Sequence, residues 1–175
     1  TATRGYSKSF ISGLTQMLMA ALLPRSKSSI VSEYNGQTAN IGREKINELK
    51  FLMPLLANEF DETRGAGKAQ SKDFLRVVTK SKSELDVVSI GDSARGGRRH
   101  SIIMEEAKDL PAQQINAVVL PLLNISRRTV LGEINRNEPH QRQLYVGSAG
   151  TRNSFAYEKC MEILIITAIK PQKAF

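Results

Sequence analysis

A chain of 175 residues with 41% hydrophobic side chains can bury one sizeable core, and that balance excludes a largely disordered polyelectrolyte. Its 25 Lys and Arg against 17 Asp and Glu give a formal charge of +8 and a pI near 9.8, which point to a polyanionic partner, nucleic acid first among them. The single cysteine, Cys160, excludes an internal disulfide, suits a reducing cytoplasm and reads as a buried helix residue.

Phe10, Ile11, Leu14, Met17, Leu18, Ala21 and Leu22 recur at helical spacing, so residues 8–23 are expected to form an amphipathic helix stopped by Pro24. Thr15 and Gln16 interrupt its apolar run, which is too short to span a bilayer and lacks the small-residue cleavage site of a secretory signal. "SSIVSEY" is short and rich in β-formers. A second helix is expected from Gln37 to Ala57, with Ile41, Ile46, Leu49 and Leu52 on one face and Pro54 kinking or ending it. "TRGAGKAQSK" is a polar loop, and "FLRVVT" and "LDVVSI" read as a β-hairpin joined by "KSKSE".

"GDSARGGRRH" is a basic glycine loop leading into "SIIM", a short buried strand. "PAQQINAVVLPLL" is a helix candidate, "QLYVGSA" another buried strand and "SFAYEKCMEILIITAI" a final helix. Strands alternating with helices indicate an α/β domain with a mainly parallel sheet carrying a β-hairpin. His100 and His140 have no metal-ligand spacing and read as surface or loop residues.

Three stretches carry chemistry. A phosphate-binding loop needs small residues that let backbone N–H groups close around phosphate, a lysine for the outer phosphates and a hydroxyl for magnesium. "ATRGYSKS" keeps the last two as Lys8 and Ser9, with Ala2 and Ser7 where the pattern has glycine and Gly5 inside the loop. The same residues also read as an N-capped helix preceded by basic side chains. In "SIIMEEA", an apolar strand ends in Glu105 and Glu106, as nucleotide hydrolysis requires of one carboxylate at a metal and one at the attacking water. A helix N-terminus, where the dipole favours acids, is the other reading. "LYVGSAGT" ends a strand in small hydroxyl residues that can sense bound phosphate, or simply make a strand-to-helix turn.

In this order and at these separations the chain resembles the ATPase domain of bacteriophage terminase large subunits, the DNA-packaging motors. "TRGYSKS", "SIVSEYNGQTANIGREKINELK", "GDSARGGRRHSIIMEEA" and "QLYVGSAGTRNSFAYEK" carry the resemblance, which covers nearly all 175 residues. It implies a RecA-like, ASCE-type P-loop NTPase fold that hydrolyses ATP with Mg2+. The nucleotide loop would be Arg4, Gly5, Tyr6, Ser7, Lys8 and Ser9, with Arg4 near the γ-phosphate and Ser9 and Glu105 at the metal. Glu106 would activate water, and Ser148, Gly150 and Thr151 would form the coupling motif. Arg95 resembles an arginine finger given to a neighbouring subunit, with a loop salt bridge or a DNA contact as alternatives.

The resemblance further implies double-stranded DNA as substrate, self-association into a ring, portal and small-terminase partners, and a place at the procapsid portal in the host cytoplasm. It puts the adenine-contacting segment before residue 1 and the nuclease domain after residue 175, so residues 1–175 are expected to be an ATPase domain truncated at both ends that does not cut DNA. Arg98, Arg99 and Arg128 are candidate phosphate contacts. "SAGT" also resembles the coupling motif of helicase-type ATPases, and the altered glycines leave room for a DNA-binding or assembly domain that no longer binds nucleotide.

Overall fold

The computed structural model describes residues 7–33, 35–60, 75–90 and 97–170, the side chains of 35–38, 41 and 89 excepted. Five strands form one sheet in the order β2-β3-β1-β4-β5, where β1 is Lys27–Ser32, β2 Arg76–Val78, β3 Glu84–Ser89, β4 Ser101–Met104 and β5 Arg142–Tyr145. The β1–β3, β1–β4 and β4–β5 pairs are parallel, and only β2 runs antiparallel, to β3. The expected hairpin is therefore present, and its second strand belongs to the parallel core. The central strands β1 and β4 read as nearly continuous Ser, Ile, Val and Met because both faces are covered.

Alternation along β1 divides the core. Ile30, with Val77, Leu85 and Val87, packs under helices α1 (Lys8–Leu22), α2 (Asn35–Leu52) and α3 (Pro54–Ala57) through Met17, Ala39, Ile46, Leu49 and Leu56. Val31, with Ile102 and Met104, packs on the other face under Ile115, Val118, Val119, Leu122, Leu123 and Phe155. Helix α2 ends at Leu52, one residue before Met53 and Pro54, because proline disfavours helical backbone in the residue ahead of it; Leu52 is consequently exposed rather than on the buried face.

Four elements differ from the sequence expectation. Strand β5, expected to be buried, is an edge strand whose Gln143 and Leu144 are exposed. Residues 111–123 form three short pieces instead of one helix: α4 (Ala112–Gln114), a π-turn (Ile115–Val119) and a 3-10 turn (Leu120–Leu123). Pro121 has no N–H to close an α-helical turn, and the altered winding places five apolar side chains on the sheet. Helix α1 presents Ser12, Gly13, Gln16, Met17 and Ala20 to the interior, while Ile11, Leu18 and Leu22 face solvent. The last helix, α5 (Phe155–Ile169), buries only Phe155, so Cys160 is exposed, contrary to expectation. His100 is buried, and "TRGAGKAQSK" lies outside the described residues.

Candidate active site

In parallel α/β sheets, chemistry gathers at the carboxyl ends of the strands. Here β1 and β4 are neighbours, and each is followed directly by an acid: Glu33 after Ser32, and Glu105 and Glu106 after Met104. Both ends open onto a cavity of about 350 Å3 whose lining includes Ser9, Gly13, Glu33, Lys45, Glu105, Glu106 and Asp109.

The inward turn of polar residues on α1 has a reason. Ser12 Oγ donates to Glu105 Oε1 at 2.8 Å, and Ser9 Oγ reaches Glu105 Oε2 at 3.4 Å. One turn further, Ser101 Oγ donates to Gln16 Oε1 at 3.2 Å. These bonds fix the rotation of α1 on the sheet and set its first turn against the end of β4. Burial holds the Glu105 carboxyl above the ordinary glutamate range; the Ser12 hydrogen bond opposes that shift and the Glu106 charge adds to it.

Glu106 sits in the left-handed region at φ 47°, and residues 105–109 are turns with no helix starting before Ala112. The helix-dipole reading of the two acids is therefore excluded. The Ser148 hydroxyl and backbone N–H both point at Glu106 Oε2, at 3.3 and 3.5 Å. This approach needs Gly147, where a Cβ would lie 3.3 Å from the Ala107 nitrogen and 3.6 Å from Glu106 Cα. Gly150 is tighter still, its absent Cβ 2.8 Å from Lys108 Cβ. Thr151 instead shapes the turn into α5: its carbonyl accepts from the Ser154 hydroxyl, which caps Tyr157 N–H.

Thus Ser9, Glu105, Glu106 and Ser148 are brought together, and the positive charge of Lys8 favours the ionised form of Glu105. Ser7 precedes the helix at φ 47° with no side-chain cap, so the N-capping alternative does not hold at that residue. Arg4, Gly5, Tyr6 and Arg95 lie outside the described residues. Arg99 is corrected: its guanidinium is turned inward, paired with Asp86 and bonded to Ser29, and does not present itself to a partner. The sequence reading missed Ser12, Glu33, Lys45 and Asp109. A polar Ser12 and Gln16 inside an apolar helix pattern is the signal that could have found Ser12; nothing comparable in the sequence marks Glu33, Lys45 or Asp109.

A mostly parallel five-stranded sheet between helices, with acids and a helix start at its carboxyl edge, defines a RecA-like α/β domain. Solved chains similar to it in fold include phage large terminases. The HK97 bacteriophage large terminase aligns over 99% of this chain and 33% of its own, with a TM-score of 0.66 at 12% identity. A large terminase from a thermophilic bacteriophage aligns over 94% and 36%, with a TM-score of 0.60 at 11% identity. The Thermus phage P74-26 large terminase ATPase domain aligns over 96% and 80%, with a TM-score of 0.51 at 13% identity. At such identities the likeness is one of fold, and the chain spans about a third of the first two terminases. No protein-family model and no curated protein sequence matches the chain.

Proposed function

We propose that this chain is an ATP-hydrolysing motor domain that drives double-stranded DNA into a viral procapsid. One observation carries the reading: Ser9 and Ser12, in the first turns of the helix that begins with the lysine-serine pair, meet Glu105 across 96 and 93 residues of sequence, with Glu106 beside it. A hydroxyl and a carboxylate so placed fit magnesium, which takes few protein ligands and keeps water and phosphate oxygens for the rest. Among the described residues no three His, Cys, Asp or Glu side chains are grouped to hold a metal ion. Lys8 would bind the outer phosphates, with Arg4, Gly5, Tyr6 and Ser7 completing the loop; Ser9 and Glu105 would hold Mg2+, and Glu106 would orient and deprotonate water. Ser148, through its bonds to Glu106, and the neighbouring Gly150 and Thr151 would couple phosphate release to α5.

The fold likeness to terminase ATPase domains supports nucleotide use, and the +8 charge supports a DNA substrate. A ring of like subunits with portal and small-terminase partners, and a place at the procapsid portal, belong to the same proposal. Among the described residues no helix is long and apolar enough to cross a membrane. A second reading, a DNA-binding domain without nucleotide, is favoured by Ser7, a side-chain residue in a conformation that suits glycine.

Two substitutions separate the readings. Lys8→Ala should abolish ATP binding measured by calorimetry with magnesium, whereas Glu106→Gln should keep it and lose single-turnover hydrolysis by about a hundred- to ten-thousandfold, the range of a general base. If the unaltered chain binds no nucleotide, the second reading replaces the first.

A further inference from the structure

The opposite edge of the sheet carries a second concave site. Arg25, Lys27, Arg98 and Arg128 line an open groove of about 800 Å3 at the amino ends of β1 and β4, together with Asn124 and Ser126. It lies a full length of β1 away from the carboxylates, on the order of 17 Å at about 3.3 Å per residue. Among the described lining residues there is no carboxylate, and none of the four cations forms an ion pair with a described residue. The acid behind the groove, Glu138, is buried and occupied by Arg127 and Arg142. Arg128 donates one N–H to the Gly132 carbonyl at 3.1 Å and keeps its other donors.

The groove is built, not incidental. Arg25 is held in a left-handed conformation at φ 61°, its backbone N–H bonded to Ser81. Lys27 and His100 are stitched together: the Lys27 N–H donates to His100 Nδ1 at 2.9 Å, and the His100 N–H donates to the Lys27 carbonyl at 2.7 Å. Burial, then Arg127 and Lys27, push the His100 pKa down to about 4, so at neutral pH the ring adds no charge and the groove's charge rests on the four long side chains.

We infer that this groove binds the phosphate backbone of duplex DNA, at the sheet edge opposite the proposed nucleotide site. Arg and Lys without an ion pair among the described residues, set around an open hollow with Asn124 and Ser126 and no described acid, suit a run of phosphates rather than one base edge. The inference rests on the proposed function only in taking duplex DNA as the polyanion. It replaces Arg99 with Arg25 and Lys27 among the residues that meet phosphate.

The test uses the full chain and a short fluorescent duplex of mixed sequence, titrated at several salt concentrations. Replacing Arg25, Lys27, Arg98 and Arg128 together by Gln should flatten the log–log salt slope by up to about 3.6, at roughly 0.9 per phosphate no longer neutralised, and weaken binding alike for any sequence. A urea unfolding midpoint close to that of the unaltered chain shows that the variant is folded, and ATP affinity should be unchanged, since the altered residues lie at the far edge. DNA binding with the original slope in this variant overturns the groove and leaves the motor reading standing. Absence of DNA binding by the unaltered chain overturns both, and tighter capture of an acidic polypeptide than of the duplex assigns the groove to a protein partner and overturns it as a DNA site.

Discussion

Two residues flanking the candidate site hold left-handed backbone without being glycine, Ser7 at φ 47° and Glu106 at φ 47°. Such a conformation costs about 1–2 kcal/mol for a side-chain residue. At Glu106 the carboxylate is the point, since the turn aims it at Ser148 beside the cavity. At Ser7 the side chain caps nothing. Ser7→Gly should therefore raise stability, by up to about 1 kcal/mol after glycine's greater unfolded-state entropy is subtracted, and leave ATP affinity intact. Urea unfolding would show a higher midpoint at an unchanged slope; a lower midpoint would mean that the Ser7 side chain packs or bonds well enough to outweigh its backbone cost.

At the scale of elements, β1 and β4 are joined at one end by the Lys27–His100 pair and at the other by the Glu105 N–H bonded to the Val31 carbonyl. The first joint is pH-sensitive, because Nδ1 can accept the Lys27 N–H only while it carries no proton. The unfolded imidazole titrates near 6.5 and the folded one near 4. Above 6.5 both states are neutral and the joint contributes fully. As the pH falls from 6.5 towards 4 the unfolded chain takes up a proton that the folded chain refuses, and stability drops by up to about 3 kcal/mol. His100→Asn, whose side-chain oxygen can accept the same N–H, should flatten the stability profile across that window. Parallel profiles for the two proteins would show that His100 protonates in the folded state without penalty.

Those same elements show what the sequence could disclose. Strand and helix identities were legible from periodicity, and the two acids after "SIIM" and the hydroxyl after Lys8 were legible as chemistry. Strand order was not: that Glu33 shares a sheet edge with Glu105 follows from β1 pairing with β4, a contact across some seventy residues that periodicity does not encode. Arg99 illustrates the same limit. In "GDSARGGRRH" its charge reads like that of Arg98, yet β3 brings Asp86 under it, and breaking such a buried pair costs about 3–5 kcal/mol. The break at residues 111–123 was written in Pro121, whereas the exposure of α5 was not, because an apolar helix pattern does not say what covers it.

As a whole the described molecule is divided in charge along one axis, with acids and the helix start at the carboxyl edge of the sheet and, at the amino edge, cations that have no ion pair among the described residues. Helix α5 leaves Ile163, Leu164, Ile165, Ile166 and Ile169 exposed. If these units assemble into a ring as proposed, Arg95 is a candidate to complete a neighbour's site, with a loop salt bridge or a DNA contact as the alternatives. A guanidinium delivered across an interface to the transferring phosphoryl group contributes on the order of a thousandfold or more in rate, and only when subunits meet. Arg95→Ala and Glu106→Gln proteins should each be inactive alone under ring-forming conditions. In mixed rings, an interface that pairs an intact Glu106 with a neighbour's intact Arg95 restores a complete site, so steady-state hydrolysis should reappear and follow the fraction of such interfaces as the mixing ratio is varied. An arginine acting within its own subunit cannot complement in this way, because each Arg95→Ala subunit lacks it and each subunit that has it lacks Glu106. Absence of recovery in rings shown to be mixed would therefore assign Arg95 to its own subunit or to DNA.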